Sequence, residues 1–167
     1  VQTGGAITAS ATIGDINGDG NDEVVIGSHD GFIRVLNCHN GETVWMAELS
    51  SEIHASAALG DVDADGDVDV VVADYQGNVY AMEGATGELL WVSYDHPAIF
   101  ATPTIGDLDR DGSAEVVVGT YGNDIVALDG ENGTIEWRME TGGAIISSPA
   151  LGDINNDGHI DVVVGSQ

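Results

Sequence analysis

The 167-residue chain contains no lysine and only three arginines, Arg34, Arg110 and Arg138, against 29 acidic side chains, so its formal net charge is −26. This shortage of cations excludes nucleic acid as a partner, because backbone binding needs clustered Lys or Arg to displace counterions. An anionic membrane surface would repel the chain as well. Cysteine is nearly missing: Cys38 stands alone, so neither an intrachain disulfide nor a cysteine-based zinc site can be drawn. No stretch approaches the roughly 18 apolar residues of a membrane span, and the opening Val1-Gln2-Thr3-Gly4-Gly5 is not a signal peptide. If the protein is exported, the targeting segment is expected outside this sequence. A sustained 3.6-residue apolar period is also lacking, which excludes helical repeats. With 43% hydrophobic residues, the chain can still bury the core of an ordinary domain. Such acidity is tolerable where carboxylates hold divalent cations or where high salt screens their repulsion.

What is present is a repeat. The pairs Gly14-Asp15, Gly60-Asp61, Gly106-Asp107 and Gly152-Asp153 recur every 46 residues, as do Trp45, Trp91 and Trp137, and Gly41, Gly87 and Gly133. Periods of about 20 to 50 residues mark solenoids and propellers. Each period predicts four short strands. The first is small and hydroxyl-bearing, as in Ile53 to Leu59, and an acidic loop follows it. The second is a continuous apolar run: Val24 to Ile26, Val70 to Val72, Val116 to Val118 and Val162 to Val164. A β-branched run without alternation implies a strand covered on both faces. The third spans Phe32 to Leu36, Val79 to Met82 and Ile125 to Leu128, and the fourth carries the tryptophan after Asn40-Gly41, Thr86-Gly87 or Asn132-Gly133, dipeptides suited to tight turns.

The predicted fold class is therefore all-β, a β-propeller of four-stranded antiparallel blades. Residues 1–167 form a single segment, with blades at about 6–50, 52–96 and 98–142 and a partial blade of two strands at 144–167. A parallel β-helix would need shorter coils. The tryptophans are expected to lock each blade to the next. Propellers close with about four to eight blades, so three blades and two strands are expected either to belong to a longer polypeptide or to complete a ring with copies of the same chain.

The four acidic loops share the pattern D-x-[DN]-x-D-G-x-x-[DE]. Candidate metal ligands are the first, third, fifth, seventh and ninth residues: Asp15, Asn17, Asp19, Asn21 and Glu23; Asp61, Asp63, Asp65, Asp67 and Asp69; Asp107, Asp109, Asp111, Ser113 and Glu115; Asp153, Asn155, Asp157, His159 and Asp161. The glycine at position 6 lets the chain turn sharply, position 7 offers its carbonyl, and position 9 closes the shell. Hard oxygen donors suit calcium, up to four ions, whereas magnesium demands a tighter octahedron. An EF-hand fails at position 12, where Ile26, Val72, Val118 and Val164 stand in place of a bidentate glutamate. Purely polar turns are disfavoured by electrostatics: two carboxylates 4 Å apart repel by about 4 kcal/mol at an effective dielectric of 20, and loop two holds five aspartates in nine residues. Extracellular calcium modules bind with Kd of about 10⁻⁴ to 10⁻³ M, so the expected location is extracellular, cell-surface or periplasmic.

An acidic loop followed by an apolar strand resembles the FG-GAP repeat of integrin α-chain propellers and of many microbial surface proteins. The blade end, Leu128-Asp129-Gly130-Glu131-Asn132-Gly133-Thr134-Ile135-Glu136-Trp137, is similar to quinoprotein-type propellers. These resemblances imply calcium ligands at positions 1, 3, 5, 7 and 9 of each loop. The expected function is a binding, adhesion or scaffold module with a protein or glycan ligand, or with neighbouring copies of itself completing the ring. No catalytic residues are predicted, since no Ser/His/Asp set or phosphate loop is present. The alternative is the propeller domain of a secreted enzyme, a polysaccharide lyase or a quinoprotein. A lyase needs cations to neutralise uronate carboxylates, and the cofactor-covering cysteine pair of some quinoproteins has no match in lone Cys38. Of the five histidines, His29, His39, His54, His96 and His159, none recurs at the repeat interval. His54 is the best candidate for lining the channel, since Thr8, Phe100 and Ile146 hold the equivalent places, with an ordinary surface or packing histidine as the favoured alternative.

Overall fold

The computed structural model describes residues 2–167. The first sheet contains β1 (Thr12–Gly14), β2 (Glu23–Gly27), β3 (Phe32–Asn37) and β4 (Thr43–Glu48). The second contains β5 (Ala58–Gly60), β6 (Asp69–Ala73), β7 (Val79–Glu83) and β8 (Leu89–Ser93), and the third β9 (Thr104–Gly106), β10 (Glu115–Gly119), β11 (Asp124–Asp129) and β12 (Ile135–Glu140). A fourth, two-stranded sheet pairs β13 (Ala150–Gly152) with β14 (Asp161–Val163). Within each sheet, consecutive strands are antiparallel neighbours in chain order. No helix occurs among the described residues. Three four-stranded antiparallel blades and a two-stranded piece are therefore stacked as in a β-propeller.

The apolar runs are continuous because each central sheet is sandwiched between two others. In β6 all five residues are buried. Val70 and Val72 pack towards the first sheet with Val25, Val35 and Trp45, while Val71 and Ala73 pack towards the third with Val116, Val118 and Leu128. The period of two along the strand thus serves two interfaces in turn. Full burial of each such valine contributes roughly 1.5–3 kcal/mol.

Two further devices lock neighbouring sheets. The Trp45 and Trp91 indoles donate to the carbonyls of Gly84 and Gly130 in the following sheet at 2.7 and 2.6 Å. Both rings lie over the next blade's hairpin glycine, where a Cβ on Gly87 or Gly133 would come within 2.7 or 2.4 Å of an indole carbon. At the inner edge, buried Ile53 and Ile145 sit over Gly27 and Gly119 of the preceding sheet.

The inner strands are shorter than the sequence suggests. The run Ile53 to Leu59 enters the ladder only at Ala58. The residues before it pair with the preceding blade instead, the Ile53 N–H donating to the Ser28 carbonyl at 3.2 Å and the Ile145 N–H to that of Thr120 at 3.0 Å. A segment whose backbone is satisfied across the blade junction has no free groups for a sheet of its own.

The Trp91 and His96 contacts each yield a prediction. Trp91→Phe leaves the Gly130 carbonyl without its indole donor and should cost about 1–3 kcal/mol in urea unfolding. Trp137→Phe should cost clearly less, since that ring is only half-buried. Buried His96 pairs Nε2 with Ser93 Oγ at 3.0 Å and Nδ1 with the Arg138 guanidinium at 3.2 Å. Burial, aided by the Arg138 charge, pushes its pKa below the ordinary value. A histidine held neutral in this way stabilises fully above about pH 6.5 and progressively less as pH falls below it. His96→Gln should flatten this acid limb of a Tm-against-pH curve.

Candidate metal centres at the blade rim

All four acidic loops join the first and second strands of their sheets, so they lie at one end of the stack. Position 6 is a glycine with φ between 86° and 99° in every loop, a conformation glycine adopts without penalty. Position 4 is left-handed as well: Gly18 at 69°, Ala64 at 61°, Arg110 at 69° and Asn156 at 60°. For Ala64 and Arg110 this costs on the order of 1 kcal/mol. The same conformation is kept in all four loops despite that cost, which the sequence pattern, with any residue allowed at position 4, did not disclose. The fold overrides local preference here, as it does at functional sites.

The loop backbone is tied to its own carboxylates in the same way each time. The position-6 N–H donates to the position-1 carboxylate, Gly20 to Asp15 at 2.9 Å, Gly66 to Asp61 at 3.0 Å, Gly112 to Asp107 at 3.3 Å and Gly158 to Asp153 at 2.8 Å. The position-5 N–H donates to the position-3 side chain, Asp19 to Asn17, Asp65 to Asp63, Asp111 to Asp109 and Asp157 to Asn155. Position 5 in turn accepts from the position-7 N–H, of Asn21, Asp67, Ser113 and His159. The Asn21 and Ser113 side chains bond to Asp19 and Glu131, so these two are engaged within or beside their loops.

The carboxylates that converge are those of positions 1, 3 and 9. In loop two Asp61, Asp63 and Asp69, and in loop three Asp107, Asp109 and Glu115, each place an oxygen within 4.8 Å of the others. In loops one and four, position 3 is an asparagine, so the acidic pair is Asp15 with Glu23 and Asp153 with Asp161.

Position 9 is the unusual member. Glu23, Asp69 and Glu115 are buried, with exposures of 0, 0 and 2%, because each opens a central strand. Asp161 is half-buried, at the start of β14 in the two-stranded sheet. One oxygen of each accepts the position-2 N–H, of Ile16, Val62, Leu108 and Ile154. The second oxygen of Glu23 (Oε1) and of Asp69 (Oδ1) is buried and lacks any hydrogen-bond partner. Burial raises the pKa of Glu23 and Glu115 and pushes Asp69 up to about 6, with Asp63 adding repulsion, despite the lowering effect of the backbone bonds. An unpartnered buried carboxylate oxygen beside other carboxylates is costly alone, and an oxygen-only donor set of this kind would suit a hard divalent cation. A cleft lined by Asp15, Asn17, Asp67 and Ala85 runs between loops one and two.

FG-GAP-like repeats match residues 15–72, 61–118 and 107–164. Among solved structures, BamB from Moraxella catarrhalis is similar at 21% identity and a TM-score of 0.71, over 96% of this chain and 47% of BamB. The chain thus spans about half the length of that protein. The computationally designed Ika4 protein is similar at 21% identity and 0.72, over 98% of this chain and 93% of the design. The quinohemoprotein alcohol dehydrogenase of Comamonas testosteroni aligns at 16% identity and 0.62, over 82% of this chain and 21% of the enzyme. At these identities the likeness is one of fold. No curated protein sequence matches the chain. With matches running from residue 15 to residue 164, the chain belongs to the FG-GAP-like repeat family.

Proposed function

We propose that this protein is a calcium-stabilised propeller module that binds a partner, a protein or a glycan, outside the cytoplasm, and that it is not an enzyme. The observation that carries the reading is the pair of buried, unpartnered oxygens, Glu23 Oε1 and Asp69 Oδ1, beneath convergent loops. The ion would be held by positions 1, 3 and 9, with position 5 and the position-7 carbonyl completing an oxygen shell. Its charge would offset the repulsion that otherwise strains the rim.

Magnitude supports the location. At tenfold excess over Kd each loop adds about 1.4 kcal/mol to folding, and only compartments with millimolar calcium saturate sites of the extracellular class. The scarcity of available cations favours a scaffold over a lyase. Arg34 is held by Asp30 through bonds of 3.0 and 2.8 Å, and Arg138 lies against His96 and Asp124. Arg34 is thereby withdrawn from any acidic sugar, and exposed Arg110 and Arg138 are the two remaining cations. Among the described residues no helix is long and apolar enough to cross a membrane. Exposed Ile13 and Val163 on the outermost sheets and Ile154 in the fourth loop favour further blades, or a second copy, as neighbours of the array.

Thermal unfolding with calcium and with chelator tests this. Saturating calcium should raise Tm by on the order of 10 °C if all four loops fill, and an unchanged Tm would sink the proposal. Asp69→Asn removes a buried charge and gives Asp61 and Asp63 a donor. It should stabilise the chelated protein by roughly 1–3 kcal/mol and lose part of the calcium-dependent gain. Turnover of an acidic polysaccharide would overturn the non-enzymatic reading.

A further inference from the structure

At the opposite end of the sheets from the acidic loops, three side chains depart from the repeat and meet. The turn after β2 carries His29, where the next two blades have Tyr75 and Tyr121. The segment before β5 carries His54, where the others have Thr8, Phe100 and Ile146, and Glu52, where the others have Ala6, Ala98 and Ala144. The blade framework requires none of the three, since its other copies do without them. They nevertheless converge at one junction, between the first and second blades. His54 Nε2 lies 3.0 Å from Glu52 Oε2 and His29 Nδ1 lies 3.9 Å from the same oxygen. One nitrogen of each ring and the carboxylate oxygen are all within 4.8 Å of one another. The imidazole centroids are 4.0 Å apart.

We propose that His29, Glu52 and His54 form a binding site for a borderline divalent transition cation such as zinc, distinct in chemistry from the acidic loops. Two imidazole nitrogens and one carboxylate oxygen form a set that zinc, nickel or copper prefers and calcium does not. Bonds of about 2.0–2.2 Å in a tetrahedron set neighbouring donors about 3.3 Å apart, and the separations of 3.0 and 3.9 Å straddle that value.

The surroundings are arranged for the purpose. The Nε2 of His29 is 2.8 Å from Thr8 Oγ1, so with Nδ1 on the metal the Nε2–H donates to that hydroxyl, the outer bond that fixes a ligand ring. The backbone on both sides is pinned: the His29 N–H donates to the Ala6 carbonyl at 2.9 Å, the Ile53 N–H to Ser28 at 3.2 Å, and the Glu52 carbonyl accepts from Tyr75 at 2.8 Å. The rings of Tyr75 and Phe100 lie 5.3 and 5.5 Å from His54, giving the cluster an apolar wall. Glu52 is half-exposed, with the two histidine side chains 23 and 21% exposed. Three protein donors with access to solvent leave a fourth position for water or for a donor from a bound partner.

The test is zinc titration of the full chain by calorimetry in excess calcium, so that the acidic loops are already engaged. One equivalent should bind to the wild type, with affinity falling at least tenfold in His29→Ala, His54→Ala and Glu52→Gln. Cys38→Ser and His39→Ala should bind as the wild type does. Retention of the calcium-dependent Tm shows that each variant is folded. A second readout needs no variant: in ¹⁵N-detected imidazole spectra of the wild type, zinc should fix His29 as the Nε2–H tautomer and His54 as the Nδ1–H tautomer. Absence of zinc binding in excess calcium, binding that survives all three substitutions, or imidazole signals of His29 and His54 unmoved by zinc would each overturn the proposal.

Discussion

A sheet with two apolar faces is stable only between two others, and this constraint organises the molecule. The faces of β6 and β10 belong to different interfaces at alternate residues, so neither strand can be soluble without a blade on each side. Indole-to-carbonyl bonds between successive blades and isoleucines seated over Gly27 and Gly119 fix how closely the sheets approach. Such contacts are nearest-neighbour in kind, so stability accumulates blade by blade, as in other repeat architectures.

The same closeness creates the electrostatic problem at the rim. Each loop delivers its ninth residue into the first position of its sheet's second strand, a buried position in the first three sheets, and that residue is a carboxylate. The sandwiching that excludes water from Val70 and Val71 also excludes it from Asp69 Oδ1. A polar side chain there could have been avoided at no cost to the β-ladder, whose register Gly60↔Asp69↔Glu83 is set by the backbone. A carboxylate stands at this position in all four repeats, beside further carboxylates, and this is the arrangement on which the proposed cation rests.

The period, the strand count and the loop pattern were legible in the sequence because each rests on local chemistry repeated at a fixed interval. Val116-Val117-Val118 announces double-sided burial, and Asp-Gly announces a turn with positive φ. Three things were not legible. The Ile53 to Ala57 stretch reads as strand by composition, but its backbone is satisfied by the preceding blade, a long-range choice that composition does not encode. The left-handed Ala64 and Arg110 are imposed by the loop against their own preference. The convergence of His29 with Glu52 required knowing that a turn in one blade and an entering segment of the next share a junction.

The two ends of the sheets are mechanically linked through short, rigid strands. Loop two ends at Asp69, and five residues later, after about 17 Å of β6, the chain reaches the turn that places Tyr75 against His54. The neighbouring strand β2 runs likewise from Glu23 to the turn bearing His29. The proposed cation on Glu23 and Asp69 would hold the starting points of the two strands whose far ends flank the histidine pair. Frayed strand starts would loosen the register on which a donor separation of a few tenths of an ångström depends. Were both proposed sites filled, paired strands would be the covalent and hydrogen-bonded path between the rim and the opposite face.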